Sequence, residues 1–467
     1  MGGFRTSLLP HQQKAFDKLK GLRIGALYMD MGTGKTRTML EIIKQKYDAD
    51  KIDIVIWLCP CSVIQNLKDD IRYHYGSVPE FFIIKGLESV GGSAKLYLRL
   101  LKAVNTHRCL LVVDESNMVK NPFAVRTKRV TELSQKCGYR YILNGTPVSR
   151  NEADMFAQWY ILDKRVLGYE SYWSFAANHL VYRVIKDRFG NEIKTDQVTH
   201  VLNIDYLTEK IAPYSFQIRK DECMDLPPKH YYNKYFSIEN EDHYREIFSE
   251  YLANVDDMDS STMYKLFTAC QHVVSGREVL TGPHQKMQTV DLYECPLDNP
   301  RIQCLEEIIS KNIHNEKVII FAKYQREIEE IEFLLSQNKI KYTNFTGKIK
   351  PNQRIQNLES FRSGDVQVLI ANKMCGAYGL NLQFCRNVIF YSNDFDYATR
   401  QQAEDRVYRL GQTETVRIFD VIATGTIDEF IDDNLCHKGS MVAKFRTWIQ
   451  KLQNENLMPG SEHQDKK

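Results

Sequence analysis

Several absences narrow the class of this chain first. Across its 467 residues no apolar run approaches the ~20 residues of a membrane span, and the start MGGFRTSLLP has no secretory core. The eleven cysteines include no CxxC pair, and the closest two, Cys59 and Cys61, are separated by one residue. That spacing suggests no zinc site and no disulfide framework, and it predicts reduced thiols in a cytosol-like compartment. A strong charge of one sign is also missing. The formal balance of +3 is too small to announce nucleic acid, although a local basic groove is compatible with such a total. The start does match the loose acylation pattern Met-Gly-x-x-x-Thr, which carries little weight because it is short and Leu8 to Phe16 is needed elsewhere. The expectation is an intracellular, cytoplasmic protein with no membrane segment.

What is present is ordinary globular chemistry, 43% hydrophobic and 26% charged. The length exceeds what one hydrophobic core usually serves, so two domains are expected. In the first 150 residues the runs IGALYM, IVIWLCP, FFIIKG, CLLVVDE and YRYILNGTP alternate with helical stretches. A second set follows late in the chain: KVIIFAKY, YTNFTG, VQVLIA, NVIFYS and VRIFDVIA. Continuous apolar runs of this kind predict strands buried on both faces, hence an α/β protein with parallel sheets. Between the two sets, from about Asn151 to Pro296, strand signals are weak and helical ones prevail. The tail after Lys451 is polar.

DMGTGKT, Asp30 to Thr36, follows the first apolar run. A strand entering a Gly-rich turn that opens a helix aims backbone N–H groups at one point, where a triphosphate can be cradled. The loop residues Met31, Gly32, Thr33 and Gly34 would line it, Lys35 would reach the β/γ-phosphates, and the Thr36 hydroxyl would bind Mg²⁺. The strict pattern has glycine where this chain has Met29. A second site decides the reading: CLLVVDESN, Cys109 to Asn117, is a strand ending in two carboxylates. Asp114 would hold Mg²⁺ and Glu115 would orient and deprotonate the attacking water. Both motifs, in this order and each at a strand end, specify a nucleotide triphosphatase.

The chain resembles superfamily 2 helicase-type motors of the SNF2 group from Leu8 to about Ile431. LLPHQQKAF resembles the Q-motif, in which Gln12 would read the adenine edge. DMGTGKT is motif I, and LCPCSVIQNLKDDI resembles motif Ia, where the turn at Pro60 and Ser62 would meet the DNA backbone. DESN is motif II, and LNGTPVSRNEADMFAQW resembles motif III, with Gly145, Thr146 and Pro147 coupling ATP to DNA. Lys120 and Asn121 match a KN-P pattern, and Ile211 to Lys229 resembles the group's link between lobes. VIIFAKY is motif IV, GLNLQ from Gly379 to Gln383 is motif V, and QQAEDRVYRLGQ from Gln401 to Gln412 is motif VI. The resemblance implies Arg406 and Arg409 as arginine fingers and Gly379 as a nucleotide contact. Asn117 stands where the family usually has His, and the glycines around Cys375 to Tyr378 are arranged differently from most members.

The expected fold is therefore two RecA-like parallel-sheet lobes with helical and hairpin insertions between motifs III and IV. Lobe 1 would span 1–226 with an insertion at about 151–215. A linker and helical insertion would take 227–295, lobe 2 would take 296–440, and a C-terminal helix and polar tail 441–467. The implied cofactors are ATP and Mg²⁺, and the implied partner is DNA, duplex, forked or branched, bound by a monomeric motor. No bromodomain, chromodomain, SANT-like or zinc segment appears. That favours fork or junction processing, such as a virus or phage replication, recombination or repair system would use, over chromatin remodelling. Two alternatives stay open: a duplex translocase that displaces proteins without separating strands, and a nucleotide-gated DNA clamp.

Several segments carry two readings each. Arg406 and Arg409 have helical i, i+3 spacing, which in isolation usually marks solvated charge. Tyr231 to Phe236, YYNKYF, reads as core, with base stacking as the alternative. Lys350 to Arg354 and Lys373 would touch the DNA backbone or simply be solvated. VYRVIKDRFGNEIKTDQVTHVLNI, Val181 to Ile204, predicts a β-hairpin turning at Gly190 and Asn191. It is either a surface decoration or a wedge, in which Arg183, Lys186 and Arg188 hold phosphates and Phe189 stacks on the last base pair.

Overall fold

Each predicted apolar run becomes a strand, because parallel ladders between covering helices bury both faces of the chain. The computed structural model describes residues 3–145, 152–186, 192–253, 260–372, 380–393 and 397–435. It divides into two units, Met1–Asp225 and Leu226–Lys467. Among the described residues no helix is long and apolar enough to cross a membrane.

In the first unit β1 (Ile24–Met29), β2 (Ile54–Cys59), β3 (Phe82–Gly86), β4 (Cys109–Asp114) and β5 (Tyr139–Asn144) alternate with helices. Then come β6 (Leu180–Lys186), β7 (Glu192–Val201) and β8 (Ser215–Ile218). The six-stranded sheet runs β3-β2-β4-β5-β1-β8, parallel throughout. Side chains alternate faces along a strand. Ala26 and Tyr28 of β1 accordingly enter one hydrophobic cluster while Leu27 and Met29 enter the other. The expected hairpin is β6 and β7, antiparallel from the pair Leu180–Val201 with a register irregularity near Tyr182. Its tip, with Arg188 and Phe189, lies outside the described residues, as do the side chains of Arg183 and Lys186.

The second unit contains β9 (Lys229–Phe236), β10 (Arg277–Val279), β11 (Thr289–Asp291), β12 (Val318–Ala322) and β13 (Tyr342–Phe345). β14 (Val368–Asn372), β15 (Asn387–Phe390) and β16 (Val416–Ala423) complete it. Its six-stranded sheet is ordered β13-β14-β12-β15-β16-β9, again parallel, and β10 and β11 form a separate antiparallel pair. Both units are thus RecA-like parallel-sheet lobes. The helices Glu241–Ala253 and Ser260–Val274 share a hydrophobic cluster with the helix Ile427–Leu435.

Two strands differ from the sequence expectation. Ser215–Ile218, read as part of the link, is an edge strand of the first sheet. Lys229–Phe236, placed in a linker, is an edge strand of the second. YYNKYF is consequently not core: Tyr231, Tyr232 and Tyr235 are 53%, 41% and 57% exposed. An edge strand has a neighbour on one side only, and here Tyr232 still stacks on Phe419 with ring centroids 5.0 Å apart.

A buried ionic cluster ties the helical insertion to the second sheet. Glu327, fully buried, accepts from the backbone N–H groups of Lys323 (3.1 Å) and Tyr324 (3.0 Å) and from the hydroxyls of Ser275 and Ser392 (both 2.7 Å). Burial favours its neutral acid, but Arg301 and these donors hold its pKa below the usual value. Arg301, 1% exposed, donates to Ser275 Oγ at 3.0 Å and pairs with Asp428 and Glu327. Removing one member of such a cluster leaves uncompensated buried charge. Arg301→Ala should therefore cost ~3–5 kcal/mol of second-lobe stability, read by denaturant unfolding, and a loss below about 1 kcal/mol would contradict that account.

Candidate active site

The phosphate loop begins where β1 ends. Met29, the departure from the strict pattern, is fully buried as the last strand residue, so the core rather than the loop sets its identity. Gly32 and Gly34 adopt φ of 82° and 91°, which side chains rarely tolerate. Gly34 caps the helix Lys35–Asp48, and a Cβ there would lie 2.0 Å from Gln12 Nε2. Thr33 is fully buried, its carbonyl bonded to His11 Nε2 at 2.7 Å and Gln12 Nε2 at 3.0 Å. Gln12 Oε1 accepts from Leu9 N–H at 3.0 Å, so both ends of this amide are engaged within the loop's support. Asp30 Oδ2 accepts from Lys220 N–H at 2.9 Å, just past β8, which fixes the other side of the loop. The Lys35 ammonium donates to the carbonyls of Met29 at 2.6 Å and Asp30 at 3.3 Å.

Motif II ends β4. Glu115 has a left-handed backbone, φ 49° and ψ 55°, and its N–H donates to Asp114 Oδ1 at 3.0 Å. Burial, then the Glu115 charge, pushes the Asp114 carboxyl up to about 7, while Lys35, the Glu115 N–H and the Trp57 indole oppose them. Motif I and motif II are therefore electrostatic neighbours. Oxygen donors with surplus negative charge suit a hard dication, and Thr36, in the first turn of the phosphate-loop helix, adds a hydroxyl. Beyond β4, Ser116 Oγ donates to Gln158 Oε1 at 2.5 Å, Gln158 Nε2 donates to the Asp154 carbonyl at 2.9 Å, and Lys120 pairs with Asp154 at 3.3 Å. Among the described residues the buried Oδ1 of Asn117 finds no donor.

The motif Ia residues follow β2, where Pro60 caps the short turn Cys61–Val63 that contains Ser62. Cys61 N–H is held by Glu88 at 2.9 Å. After β5, Gly145 N–H donates to Asn144 Oδ1 at 2.9 Å. Thr146 and Pro147 lie outside the described residues, as do Lys373, Gly379 and the segment Cys375 to Tyr378. Arg354 of the basic stretch is turned onto its own loop, donating to the carbonyls of Ile349 at 2.7 Å and Gly347 at 3.0 Å.

In the second lobe Arg406 and Arg409 are not a helical pair. The helix Tyr397–Glu404 ends before them and they occupy the following turns. Arg406 is 6% exposed, against the picture of a solvated charge. Its carbonyl accepts from Leu382 N–H at 3.0 Å, and Arg409 is hydrogen-bonded to the Asn381 side chain. Motifs V and VI thus form one unit. Sequence reading missed the supports: His11, Lys220 and Gln158 in the first lobe, and Lys229, Arg400 and Asp420 in the second. The i, i+4 spacing of Arg400 and Glu404 was the one local signal among them.

A glycine turn that carries Lys35, beside an acidic strand end in a parallel sheet, defines a P-loop nucleotide-binding α/β protein. Residues 300–411 match the helicase conserved C-terminal domain. An uncharacterized ATP-dependent helicase of Mycoplasma pneumoniae is 23% identical over 97% of this chain and 44% of its own length. The TATA-binding protein-associated factor mot1 of Aspergillus fumigatus is 22% identical over 91% of this chain and 26% of its own. A solved structure, the Sulfolobus solfataricus SWI2/SNF2 ATPase core in complex with dsDNA, aligns over 98% of this chain and 97% of its own at 20% identity, with a TM-score of 0.40 that adds no weight. The second lobe thus matches the helicase conserved C-terminal domain, and the chain as a whole is similar to these ATP-dependent helicase-type proteins, spanning less than half the length of the two curated relatives.

The loop geometry generates a direct test. Gly34→Ala combines a left-handed backbone with a clash against Gln12, so nucleotide affinity measured by calorimetry should fall by ~10-fold or more. Gly364→Ala, at φ 101° with open space around it, is the matched control, with affinity unchanged. Equal affinities for wild type and Gly34→Ala would show that the loop does not bind nucleotide.

Proposed function

We propose that this chain is a DNA-dependent ATPase that translocates on duplex or branched DNA. The observation that carries the reading is that the glycine turn with Lys35 after β1 and the carboxylates Asp114 and Glu115 after β4 stand at the carboxyl edge of one parallel sheet, where Lys35 and Asp114 are electrostatic neighbours. Backbone N–H groups from Gly32 to Thr36 and the Lys35 ammonium would bind the phosphates, Met31 and Thr33 would shape the loop, and Thr36 and Asp114 would hold Mg²⁺. Bound Mg²⁺ supplies charge neutralisation at the phosphate oxygens. Glu115 takes a proton from the attacking water. By resemblance to the family, Arg406 and Arg409 would act on charge that builds on the γ-phosphate, a contribution worth ~10³ or more in rate. Pro60 and Ser62 contact the DNA backbone, together with Lys373. The relatives support ATP dependence through the name of the Mycoplasma protein.

Lys35→Ala removes the ammonium and Glu115→Gln removes the base, so each should lower DNA-stimulated turnover by ~10² or more. Glu115→Gln should still bind ATP. Arg409→Ala should leave ATP affinity within a few-fold while turnover falls steeply, because a finger acts on charge present only in the transition state. Wild-type turnover in Glu115→Gln would refute the assignment of the base. A chain that binds DNA and ATP without turnover would instead be the nucleotide-gated clamp.

Strand separation is preferred to tracking alone because an unwinding motor needs a pin at the fork, and the β6–β7 hairpin is the element of this chain that could supply one. Arg183, Lys186 and Arg188 would engage phosphates and Phe189 the terminal base pair, a stacking contact worth ~1–3 kcal/mol. Replacing Arg188 to Glu192 by a short Gly-Ser turn should keep ATPase stimulation by single-stranded DNA and abolish fork unwinding. Equal unwinding by the shortened protein, with intact triplex displacement on linear duplex, would favour the duplex translocase.

A further inference from the structure

Lys229 is the first residue of β9, just past the boundary between the two units at Leu226. Its ammonium donates to Glu404 Oε2 at 2.8 Å, and the Tyr231 hydroxyl donates to the same oxygen at 2.8 Å. The ammonium also lies 4.8 Å from the ring centroid of Tyr408 and 5.7 Å from that of Tyr231. Lys229 therefore grips the chain on both sides of Arg406, at Glu404 and at Tyr408.

The far side of Glu404 is equally fixed. Its other oxygen accepts from Arg400 Nε at 2.8 Å, and Arg400 forms a two-pronged pair with Asp420 of β16 at 2.5 and 2.8 Å. The Arg400 guanidinium lies 3.5 Å from the Phe390 ring centroid, and Asn393 donates to Asp420 at 2.7 Å. Arg400, Glu404 and Asp420 are 6%, 6% and 2% exposed. Burial alone would lower the Lys229 pKa, but Glu404 and Tyr231 more than reverse this and keep it charged. Lys229 and Arg400 face Glu404 and Asp420, with Asp432 nearby, so loss of Lys229 leaves an excess of negative charge. A buried, hydrogen-bonded cluster contributes little net stability against an apolar substitute, and what it fixes is geometry.

We infer that Lys229 is a positioning residue for hydrolysis: by holding Glu404 and Tyr408 it sets the turn that presents Arg406 and Arg409. The inference rests on the ATPase reading above and makes the entry of the chain into the second lobe part of the catalytic apparatus. A misplacement of ~1 Å at a distance from the chemistry can cost ~10²-fold. Lys229→Met should therefore lower kcat for DNA-stimulated hydrolysis by ~10-fold or more. KM for ATP, and affinity for a non-hydrolysable ATP analogue, should stay within about threefold, since the phosphate loop is untouched.

Lys229→Arg, which retains the charge, should recover most of the rate. In an Arg406→Ala, Arg409→Ala background, Lys229→Met should add less than about a twofold further loss, because the changes act through the same step. Thermal unfolding of each variant gives the folded fraction by which rates are normalised. Wild-type kcat in normalised Lys229→Met, or a full multiplicative loss on top of the double arginine variant, would overturn the inference and reduce Lys229 to a fold contact. Tyr231→Phe, which removes one hydroxyl and no charge, serves if Lys229→Met does not fold: it should lower kcat without changing KM, and an unchanged kcat would count against the inference. A wild-type chain that hydrolyses no ATP with or without DNA would overturn the underlying ATPase reading instead.

Discussion

Parallel pairing is the constraint on which the rest of this structure depends. In a parallel sheet every strand delivers its carboxyl end to the same edge, so loops far apart in sequence are gathered there without any contact of their own. In the first lobe the ends of β1, β2, β4 and β5 bring the phosphate loop, Pro60, Asp114 and Gly145 to one edge. The ladder sets the relative height of these loops, as where Asp114 pairs in register with Leu143. A one-residue slip would exchange the two hydrophobic clusters on either side of the sheet, so register and site geometry are held by the same packing.

The phosphate loop is organised before any ligand arrives. His11 and Gln12 hold the Thr33 carbonyl, Lys220 N–H holds Asp30, and the Lys35 ammonium rests on the carbonyls of Met29 and Asp30. Ordering is thereby borne at folding rather than at binding, which is the advantage of preorganisation. These carbonyl bonds hold the Lys35 ammonium at the loop itself. The engaged amide of Gln12 gives this residue a mechanical role that its place in the Q-motif did not announce: it secures the loop through Thr33.

The strands of both sheet cores were legible because they are continuous apolar runs, as in IGALYM and VIIFA, and the motifs were legible because they are local. β8 and β9 were not, for physical reasons. Ser215–Ile218 is four residues long, and β9 carries exposed tyrosines that an edge position allows. The catalytic candidates were readable because phosphate chemistry demands fixed residue types at fixed spacing. Their supports were not, because a salt bridge such as Lys229–Glu404 joins residues 175 positions apart and leaves no periodic trace. Arg406 and Arg409 show the limit of spacing arguments: helical i, i+3 separation occurs here in turns beyond a helix end.

The two lobes use buried charge in opposite ways. At the first site burial and the neighbouring Glu115 charge push Asp114 up to about 7, with the Lys35 charge opposing them, so its carboxylate charge is incompletely compensated within the chain. In the second lobe the cluster behind motif VI comes nearer to closure. Arg400 and Lys229 together face Asp420 and Glu404, with asparagine and tyrosine donors filling remaining positions. An incomplete site gains from binding, whereas a completed one resists displacement. That contrast fits the proposed division of labour, in which the first lobe would take up and release nucleotide and the second would hold Arg406 and Arg409 in place. It also fits the place of the half-buried Lys229 beside motif VI: the residue that begins the second sheet adds the second cation to the cluster behind Arg406.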